Sequence, residues 1–323
     1  MVNVELSYVI PELPKRKGRV IINANQKGGV GKTTASTTES SVASLPNEEF
    51  DYKCLFIDWD KQGNATSLFG KTYNVNFPKS IYRCIEDGDL KSGVVSLNEN
   101  LDMIAGSGDM SNLGDLLEEL YPRSTADYKR KRTFHFSKLL DQIRDEYDFI
   151  WIDVGPSTDI KVDNAMVCAD YVIIIQETKT YSYEGSVDIV QEYLQTLVED
   201  FGSDFKGEVI GLLPFLLQPK RNLHEKILKN TYETFGRKFV FSTTVTNNKR
   251  LEDYPEYGIT VNDYHDRRVF GMFADIFTEI KERIAFTEVY GDVPDDYSYQ
   301  NKYLDGNKLT RLSKELNLNE FTR

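Results

Sequence analysis

A glycine-rich turn, NQKGGVGKTT, follows directly on the apolar segment RVIIN (Arg19–Asn23) near the start of the chain. Glycines allow backbone N–H groups to converge on phosphate oxygens, and the N-terminus of a following helix adds positive potential. Lys32 can reach the β- and γ-phosphates of a nucleotide, and the Thr33 hydroxyl can ligate magnesium. The pattern predicts a phosphate-binding loop (P-loop) between a strand and a helix, with ATP and Mg²⁺ as cofactors. The helix is predicted from the motif, because the Thr and Ser of TTASTTESSVAS are poor helix formers.

Short apolar runs alternate with segments of helical period along the rest of the chain. The helical segments include Ser186–Asp200 and 269–284, where apolar residues recur at steps of three and four. Near-continuous apolar strands that alternate with helices predict an α/β fold, a P-loop NTPase whose mainly parallel twisted sheet is covered by helices on both faces. Six further strands are predicted: Lys53–Asp58, Leu101–Gly106, Asp148–Asp153, Tyr171–Gln176, Glu208–Leu213 and Lys238–Thr243.

The chain has 323 residues and 40% hydrophobic content, enough for one large α/β domain with extensions. We expect the ATPase domain to span residues 19–286. Residues 1–18 form an N-terminal extension. Residues 287–323 begin with a segment rich in Asp, Gly, Pro and Tyr, which is typical of a linker, and end with a short amphipathic helix. The leucine stripe of that helix (Leu309, Leu312 and Leu316) either packs on the protein or a partner, which we favour, or lies on a membrane.

The formal net charge of −12 opposes unlocalised binding to nucleic acid, although a local basic patch would still act over a short distance. Cys54, Cys84 and Cys168 are widely spaced and odd in number, so a disulfide framework or a zinc ribbon is not expected. The first 18 residues contain Glu and Pro where a signal peptide needs an apolar core. The longest apolar run, Val209–Leu217, is about half of a membrane span. We therefore expect a cytoplasmic location and no membrane partner.

Carboxylates end two of the predicted strands. Asp58 and Asp60 stand at i and i+2, a spacing that puts both on one side of a strand. The carboxyl ends of parallel strands face the ligand crevice, where two acids can hold metal-bound water and orient an attacking water. Asp153 ends the strand DFIWID and can approach magnesium through a water or through Thr33.

The loop itself departs from the usual pattern, since Gln26 and Lys27 stand at its start. KGGVGKTT resembles the deviant Walker A loop of the ParA/MinD ATPases. The resemblance implies that Lys32 serves its own nucleotide, whereas Lys27 crosses a dimer interface to the ATP of the partner subunit. It also implies a catalytic part for both lysines and nucleotide contacts from the loop and the first helical turn: Lys27, Gly28, Gly29, Val30, Gly31, Lys32, Thr33 and Thr34.

Two further segments are similar to ParA-type partition proteins, and the resemblance extends from Arg19 to Phe286. DWDKQGNATS matches a D-x-D-P-Q-G-N-A-T-S stretch, with Lys61 in place of the proline. The match implies that Asp60 positions the hydrolytic water and that Asp58, with Thr33 and Asp153, supports the magnesium ion. Val154-Gly155-Pro156 stands where the family reads x-P-P, which implies a looser turn after Asp153. NNKRLEDYPEYG (Asn247–Gly258) implies that Asn248 lies near the adenine.

The resemblance also implies partners and a function. We expect a DNA partition ATPase, slow by itself, that forms an ATP sandwich homodimer, binds DNA nonspecifically, associates with the nucleoid and is stimulated by a ParB-like centromere-binding protein. The matching basic positions are Lys220, Arg221, Lys249 and Arg250, and four more could widen the patch: Lys226, Lys229, Arg237 and Lys238.

Two alternatives remain open on the sequence. One is a MinD-like membrane-associated positioning ATPase, against which the DWDKQGNATS segment argues. The other is a P-loop tyrosine kinase, since the tail contains Tyr290, Tyr297, Tyr299 and Tyr303, but the arginine-rich oligomerisation motif of that class is not found. Chemistry like that of the nitrogenase iron protein is disfavoured because no suitable cysteine pair is present.

Overall fold

The P-loop strand lies in the interior of a mainly parallel sheet. The computed structural model describes residues 8–179, 184–186, 188–218 and 221–303. In these residues seven strands form one sheet in the order β3-β4-β2-β5-β1-β6-β7, and only β3 runs antiparallel to its neighbour. The strands are β1 (Arg19–Ala24), β2 (Cys54–Asp58), β3 (Val94–Ser96), β4 (Leu101–Ile104), β5 (Phe149–Asp153), β6 (Tyr171–Glu177) and β7 (Glu208–Phe215).

Helices cover both faces of this sheet, as predicted. They are α1 (Lys32–Ala43), α2 (Asn64–Tyr73), α3 (Ile81–Asp87), α4 (Leu113–Leu120), α5 (Tyr128–Thr133), α6 (His135–Leu140), α7 (Ile160–Met166), α8 (Leu194–Phe201), α9 (Asn222–Phe235), α10 (Lys249–Tyr257) and α11 (Tyr264–Tyr290). Successive side chains of a strand point to opposite faces of the sheet, so the core has two parts. Ile21 packs with α1, α10 and α11 on one face, whereas Val20 and Ile22 pack with α3, α4 and α7 on the other. The fold class predicted from the sequence is confirmed.

Helix α1 forms although its sequence is rich in Thr and Ser. Its hydroxyl groups donate to carbonyls one turn earlier, as from Thr37 Oγ1 to Thr33 O (2.7 Å) and from Ser41 Oγ to Thr37 O (2.7 Å). These bonds satisfy the hydroxyl groups inside the helix, so the polar side chains can be buried between the sheet and α11. Tertiary burial thus outweighs the weak local propensity.

The predicted strand Lys238–Thr243 is wrong. Residues Arg237–Phe239 form a short 3₁₀ turn, and only one isolated bridge, between Leu212 and Val240, joins the segment to β7. Side chains of α11 form hydrogen bonds with backbone groups that would otherwise pair with a neighbouring strand. Glu279 accepts from the Ser242 N–H (3.0 Å), and Arg283 donates to the carbonyls of Lys238 (2.7 Å) and Val240 (3.1 Å). The short edge strand β3 was not predicted.

The segment after Phe286 packs against the domain over its described part. Helix α11 continues to Tyr290, four residues past the expected boundary, and Gly291 ends it in the left-handed conformation (φ 85°). Tyr297, Tyr299 and Tyr303 are each only 4% exposed. The N-terminal extension meets this segment, since the Ser298 N–H donates to the Tyr8 hydroxyl (3.1 Å). The leucine-stripe helix predicted for residues 307–321 lies outside the described residues.

Candidate functional site

The P-loop connects β1 to α1 through glycines that adopt positive φ values. Gly29 and Gly31 have φ values of 74° and 104°, in the left-handed region that favours glycine. A Cβ at Gly31 would lie 2.3 Å from the Phe215 ring at the end of β7, so the loop approaches that strand closely. The strand–turn–helix context that a phosphate-binding loop requires is present.

The Lys32 ammonium lies under the loop. It donates to the carbonyl oxygens of Asn25 (3.0 Å) and Lys27 (3.1 Å), and the residue is only 6% exposed. Burial lowers the pKa of Lys32, while the carboxylates of Asp153 and Asp60 act in the opposite direction. The Lys32 amine thus lies beside the loop carbonyls and two acids, at the site where phosphate oxygens would be received.

Asp153 is a buried acid next to this lysine. It ends β5 with 1% exposure, and no described residue meets full hydrogen-bond geometry at either carboxylate oxygen, although the Thr33 hydroxyl lies close enough to favour the charged form. Burial, followed by the neighbouring Asp58, raises the pKa of Asp153 to about 8, while Thr33 and Lys32 partly offset the rise. A poorly compensated acid at this depth is costly, so it marks a place where a cation or its bound water fits.

Asp58 is held in place by α2. It lies in register with Asp153 across the β2–β5 pair and is fully buried. Its Oδ2 accepts from the Thr66 N–H (2.8 Å) and the Thr66 hydroxyl (2.7 Å). Gly106 completes the enclosure, because a Cβ there would lie 2.7–2.9 Å from Asp58 atoms. Burial raises the pKa of Asp58 to about 6, against the effect of these hydrogen bonds.

Asp60 faces the open side of the same edge. Its N–H donates to Asp58 Oδ1 (3.2 Å), and its own Oδ1 accepts from the Gln62 N–H (3.1 Å). A Cβ at Gly155 would lie 3.4 Å from the Asp60 carboxylate, so the glycine that replaces the family's proline lies close to this acid. The i, i+2 spacing does not put both acids on the cavity, since Asp60 lines it and Asp58 lies behind, bound to Thr66.

A cavity of about 570 Å³ joins the P-loop to α10. Of the predicted nucleotide contacts, Gly28, Gly29, Gly31, Lys32, Thr33 and Thr34 line it, whereas Val30 is buried in the core. Asn248 is not among the lining residues. Its side chain caps α10 by accepting from the Arg250 N–H (2.9 Å), and the next turn supplies the lining through Leu251, Glu252, Tyr254 and Pro255.

Lys27 points away from this cavity. Its ammonium lies 4.0 Å from Oε2 of Glu177, the last residue of β6, and its N–H donates to Asn25 Oδ1 (2.8 Å). Thus the structure brings Lys32, Thr33, Asp60 and Asp153 together around one site and places Lys27 on the neighbouring strand end.

The candidate DNA contacts lie at the β7 edge of the sheet. A bridge between Leu217 and Thr246 brings the segment before Arg221 beside the segment before Lys249, and both of these cations are exposed. Arg250 differs, because it pairs with Asp263 and with Asp266 (3.3 Å) at the start of α11. Lys220 lies outside the described residues.

Sequence reasoning missed three supporting residues: Thr66, Gly106 and Glu177. Thr66 carried a signal, since it belongs to the QGNATS segment that matched the family. Gly106 follows β4 and Glu177 ends β6, both ordinary apolar strands. No local pattern ties Gly106 to Asp58, 48 positions earlier, or Glu177 to Lys27, 150 positions earlier. Among the described residues, no cluster of three or more His, Cys, Asp or Glu could hold a metal alone.

Comparisons with known proteins agree with this geometry. A family model described as an AAA domain matches residues 18–206. The sporulation initiation inhibitor protein Soj of Bacillus subtilis is 29% identical over 276 residues, covering 83% of this chain and 98% of that relative. The chromosome-partitioning ATPase Soj of Treponema pallidum is 27% identical over 256 residues, covering 76% and 90%.

The solved structures that share the fold include two with a bound nucleotide. A putative plasmid partition protein from Borrelia burgdorferi bound to AMPPNP has a TM-score of 0.63 at 22% identity, covering 82% of this chain and 100% of that one. Cobyrinic acid a,c-diamide synthase from Mycobacterium smegmatis with bound ADP and magnesium has a TM-score of 0.60 at 21% identity, covering 74% and 91%. In the described part of the chain, no helix combines the length and apolar character needed to span a membrane. By its family match, its relatives and its fold, the chain belongs to the AAA domain family and is a ParA-type P-loop ATPase.

Proposed function

We propose that this chain is an ATP-dependent DNA partition ATPase that converts ATP and water to ADP and phosphate. The observation that carries the proposal is the buried Asp153 carboxyl group, poorly compensated by its neighbours Lys32 and Thr33, at the carboxyl edge of the sheet. This group fits magnesium and a polyphosphate, since a divalent cation would neutralise the acid and the loop N–H groups would receive the phosphates.

Each residue of the site then has a role. Lys32 and the glycines bind the phosphate chain, and Thr33 with Asp153 and Asp58 supports the magnesium ion and its water. Asp60, on the open side, orients the water for attack. Bound ATP supplies the phosphoryl group that is transferred. The α10 residues Leu251, Tyr254 and Pro255 give the cavity an apolar end that suits a nucleobase. An Asn248–adenine contact stays a prediction.

The proposal includes a homodimer that closes on ATP, with Lys27 reaching the nucleotide of the partner subunit. Nonspecific DNA would bind through Arg221 and Lys249, and through Lys220 and Arg250 as predicted from the sequence. A ParB-like centromere-binding partner would raise an otherwise slow hydrolysis rate, and the protein would associate with the nucleoid. Support comes from relatives named for chromosome partitioning and a fold shared with a plasmid partition protein.

DNA binding with ATP, with ADP and without nucleotide tests this function. We expect wild-type protein to bind mixed-sequence DNA only with ATP. Lys27→Ala should not bind DNA even with ATP, because its subunits fail to pair. Arg221→Ala and Lys249→Ala should each weaken binding evenly across sequences and lower the slope of log affinity against log salt by about 1. Lys91→Ala, an exposed cation near β3 at the opposite edge, is the control and should change neither. ATP-independent affinity in the wild type would contradict the proposal.

The described tail does not favour the tyrosine-kinase alternative. Tyr297, Tyr299 and Tyr303 are buried, and the hydroxyls of Tyr297 and Tyr299 are hydrogen-bonded to Glu282 (2.9 Å) and Asp275 (2.8 Å). Phosphoryl transfer to them would require the segment to leave the domain.

A further inference from the structure

Glu177 lies at the carboxyl end of β6, the strand next to the P-loop strand. Only 8% of its side chain is exposed, and it does not line the cavity at the P-loop. Its Oε2 lies 4.0 Å from the Lys27 ammonium, and Lys179 pairs with its other oxygen. A nearly buried carboxylate therefore faces the extra lysine of the loop from within the same subunit.

The backbone around Lys27 is fixed on the same strand end. The Asn25 side chain, 2% exposed, accepts from the Lys27 N–H (2.8 Å) and donates to the carbonyl of Ile175 in β6 (2.8 Å). Gly185 also lies close to this turn, because an added Cβ there would meet Asn25 Oδ1 at 2.9 Å and Lys27 Cβ at 3.9 Å. The Lys27 backbone is thus held at the end of β6, with its ammonium on the side of Glu177.

We propose that Glu177 is a positioning residue that holds Lys27 on its own subunit and so opposes ATP-driven pairing of subunits. The inference rests on the proposed function, in which Lys27 acts across the dimer. The Lys27 ammonium cannot stay at Glu177 and also reach a nucleotide in another chain, so the Lys27–Glu177 pair must separate for each subunit that joins. Glu177 thereby sets the ATP concentration at which pairing begins.

The test measures pairing of the full chain by light scattering while the non-hydrolysable analogue AMPPNP with Mg²⁺ is titrated. Glu177→Gln keeps the side-chain shape and removes the charge, so it should lower the analogue concentration at half-pairing. An ion pair of this partly exposed kind changes an equilibrium about two- to fivefold, and each dimer separates two of them. Glu177→Asp, which shortens the reach, should shift the midpoint in the same direction by less.

Two variants make the test specific. Lys179→Gln removes the other cation on Glu177 and keeps the Lys27–Glu177 pair, so the midpoint should not fall. In a Lys27→Ala background, which should not pair, Glu177→Gln should fail to restore pairing, because the group it holds is absent. Restored pairing in that background would overturn the proposal, since it would mean a general effect of charge removal.

The remaining outcomes separate the two proposals. If wild-type chains pair with AMPPNP and Glu177→Gln leaves the midpoint unchanged or raises it, the positioning role of Glu177 is refuted and the proposed function stands. If wild-type chains stay single at saturating AMPPNP, the pairing itself is refuted, and both proposals fall.

Discussion

Asp58 and Asp153 end adjacent parallel strands in register, so two buried carboxyl groups lie side by side at the nucleotide edge of the sheet. Their surroundings differ. Thr66 donates two hydrogen bonds to Asp58, whereas at Asp153 only the Thr33 hydroxyl comes near, short of full hydrogen-bond geometry. Burial raises both pKa values, to about 6 for Asp58 and about 8 for Asp153. Acids with pKa values raised by burial in this way cluster at functional sites.

This difference predicts opposite stability effects for one chemical change. Asp153→Asn should stabilise the nucleotide-free protein by about 1–3 kcal/mol, because a poorly compensated buried acid is removed. Asp58→Asn should destabilise it by about 1–2 kcal/mol, because an amide cannot accept from Thr66 and from the Asp60 N–H with both its atoms. Both variants should lose Mg²⁺-dependent ATP hydrolysis. Thermal and urea unfolding without nucleotide measure the first effects, and a stabilised Asp58→Asn would contradict the assignment.

Gly106 is predicted to be required for the shape of the site. A Cβ there would lie 2.7 Å from the Asp58 carbonyl oxygen and 2.8 Å from its Cγ, so Gly106→Ala must move β2 or the carboxylate. We expect a loss of about 1–3 kcal/mol in the free energy of unfolding and a weaker dependence of hydrolysis on Mg²⁺. Gly108→Ala is the matched control, since nothing lies within 4 Å of its Cβ position, and it should stay within about 0.5 kcal/mol of wild type. Equal losses in the two variants would exclude the steric explanation.

The stability of the protein should depend on pH because of Glu39, which lies on the helix that follows the P-loop. It is fully buried on α1, where its Oε2 accepts from Asn23 Nδ2 (2.8 Å) and Trp151 Nε1 (3.1 Å). Burial raises its pKa to about 7 from an ordinary value of 4.5. The folded state therefore binds the Glu39 proton more tightly than the unfolded state does. The resulting contribution of Glu39 to the free energy of unfolding is complete below about pH 4.5 and is lost as the pH rises through about 7.

Denaturant unfolding across pH 5–8 measures this loss as the difference between wild type and Glu39→Gln. The wild type should lose on the order of 2–3 kcal/mol relative to the variant, which keeps an acceptor for Asn23 and Trp151 without a titrating charge. Glu233→Gln removes an exposed acid of α9 and should keep the wild-type profile. Parallel profiles for wild type and Glu39→Gln would show that Glu39 does not titrate in this range.

Tyr299 and Tyr290 provide a test of the described tail. The Tyr299 hydroxyl donates to Asp275 Oδ1 (2.8 Å), while Tyr290 is 65% exposed. Tyr299→Phe should lower the free energy of unfolding by about 1–2 kcal/mol, and Tyr290→Phe should leave it unchanged. Mass spectrometry after incubation with ATP should find no phosphate on Tyr297, Tyr299 or Tyr303 in the folded protein. Phosphate on these residues would restore the kinase alternative.

The sequence by itself determined the fold class, the P-loop and the acids at the strand ends. These are contiguous patterns: a strand, a glycine turn and GKT predict a phosphate loop wherever the rest of the chain lies, and an apolar run that ends in Asp places a carboxylate at the sheet edge. The match of DWDKQGNATS likewise fixed Asp60 near the site. Local spacing alone does not fix where a side chain turns once its strand ends, and Asp58 and Asp60 accordingly face different sides.

Tertiary structure decided the contacts between residues far apart in the chain. Glu279 and Arg283 bind the backbone of 238–243 and prevent the predicted strand, Thr66 and Gly106 enclose Asp58, and Glu177 faces Lys27 from 150 residues away. The physical reason is that a buried polar group must find its partner in space, and the sheet order, not the order of the sequence, determines which groups meet.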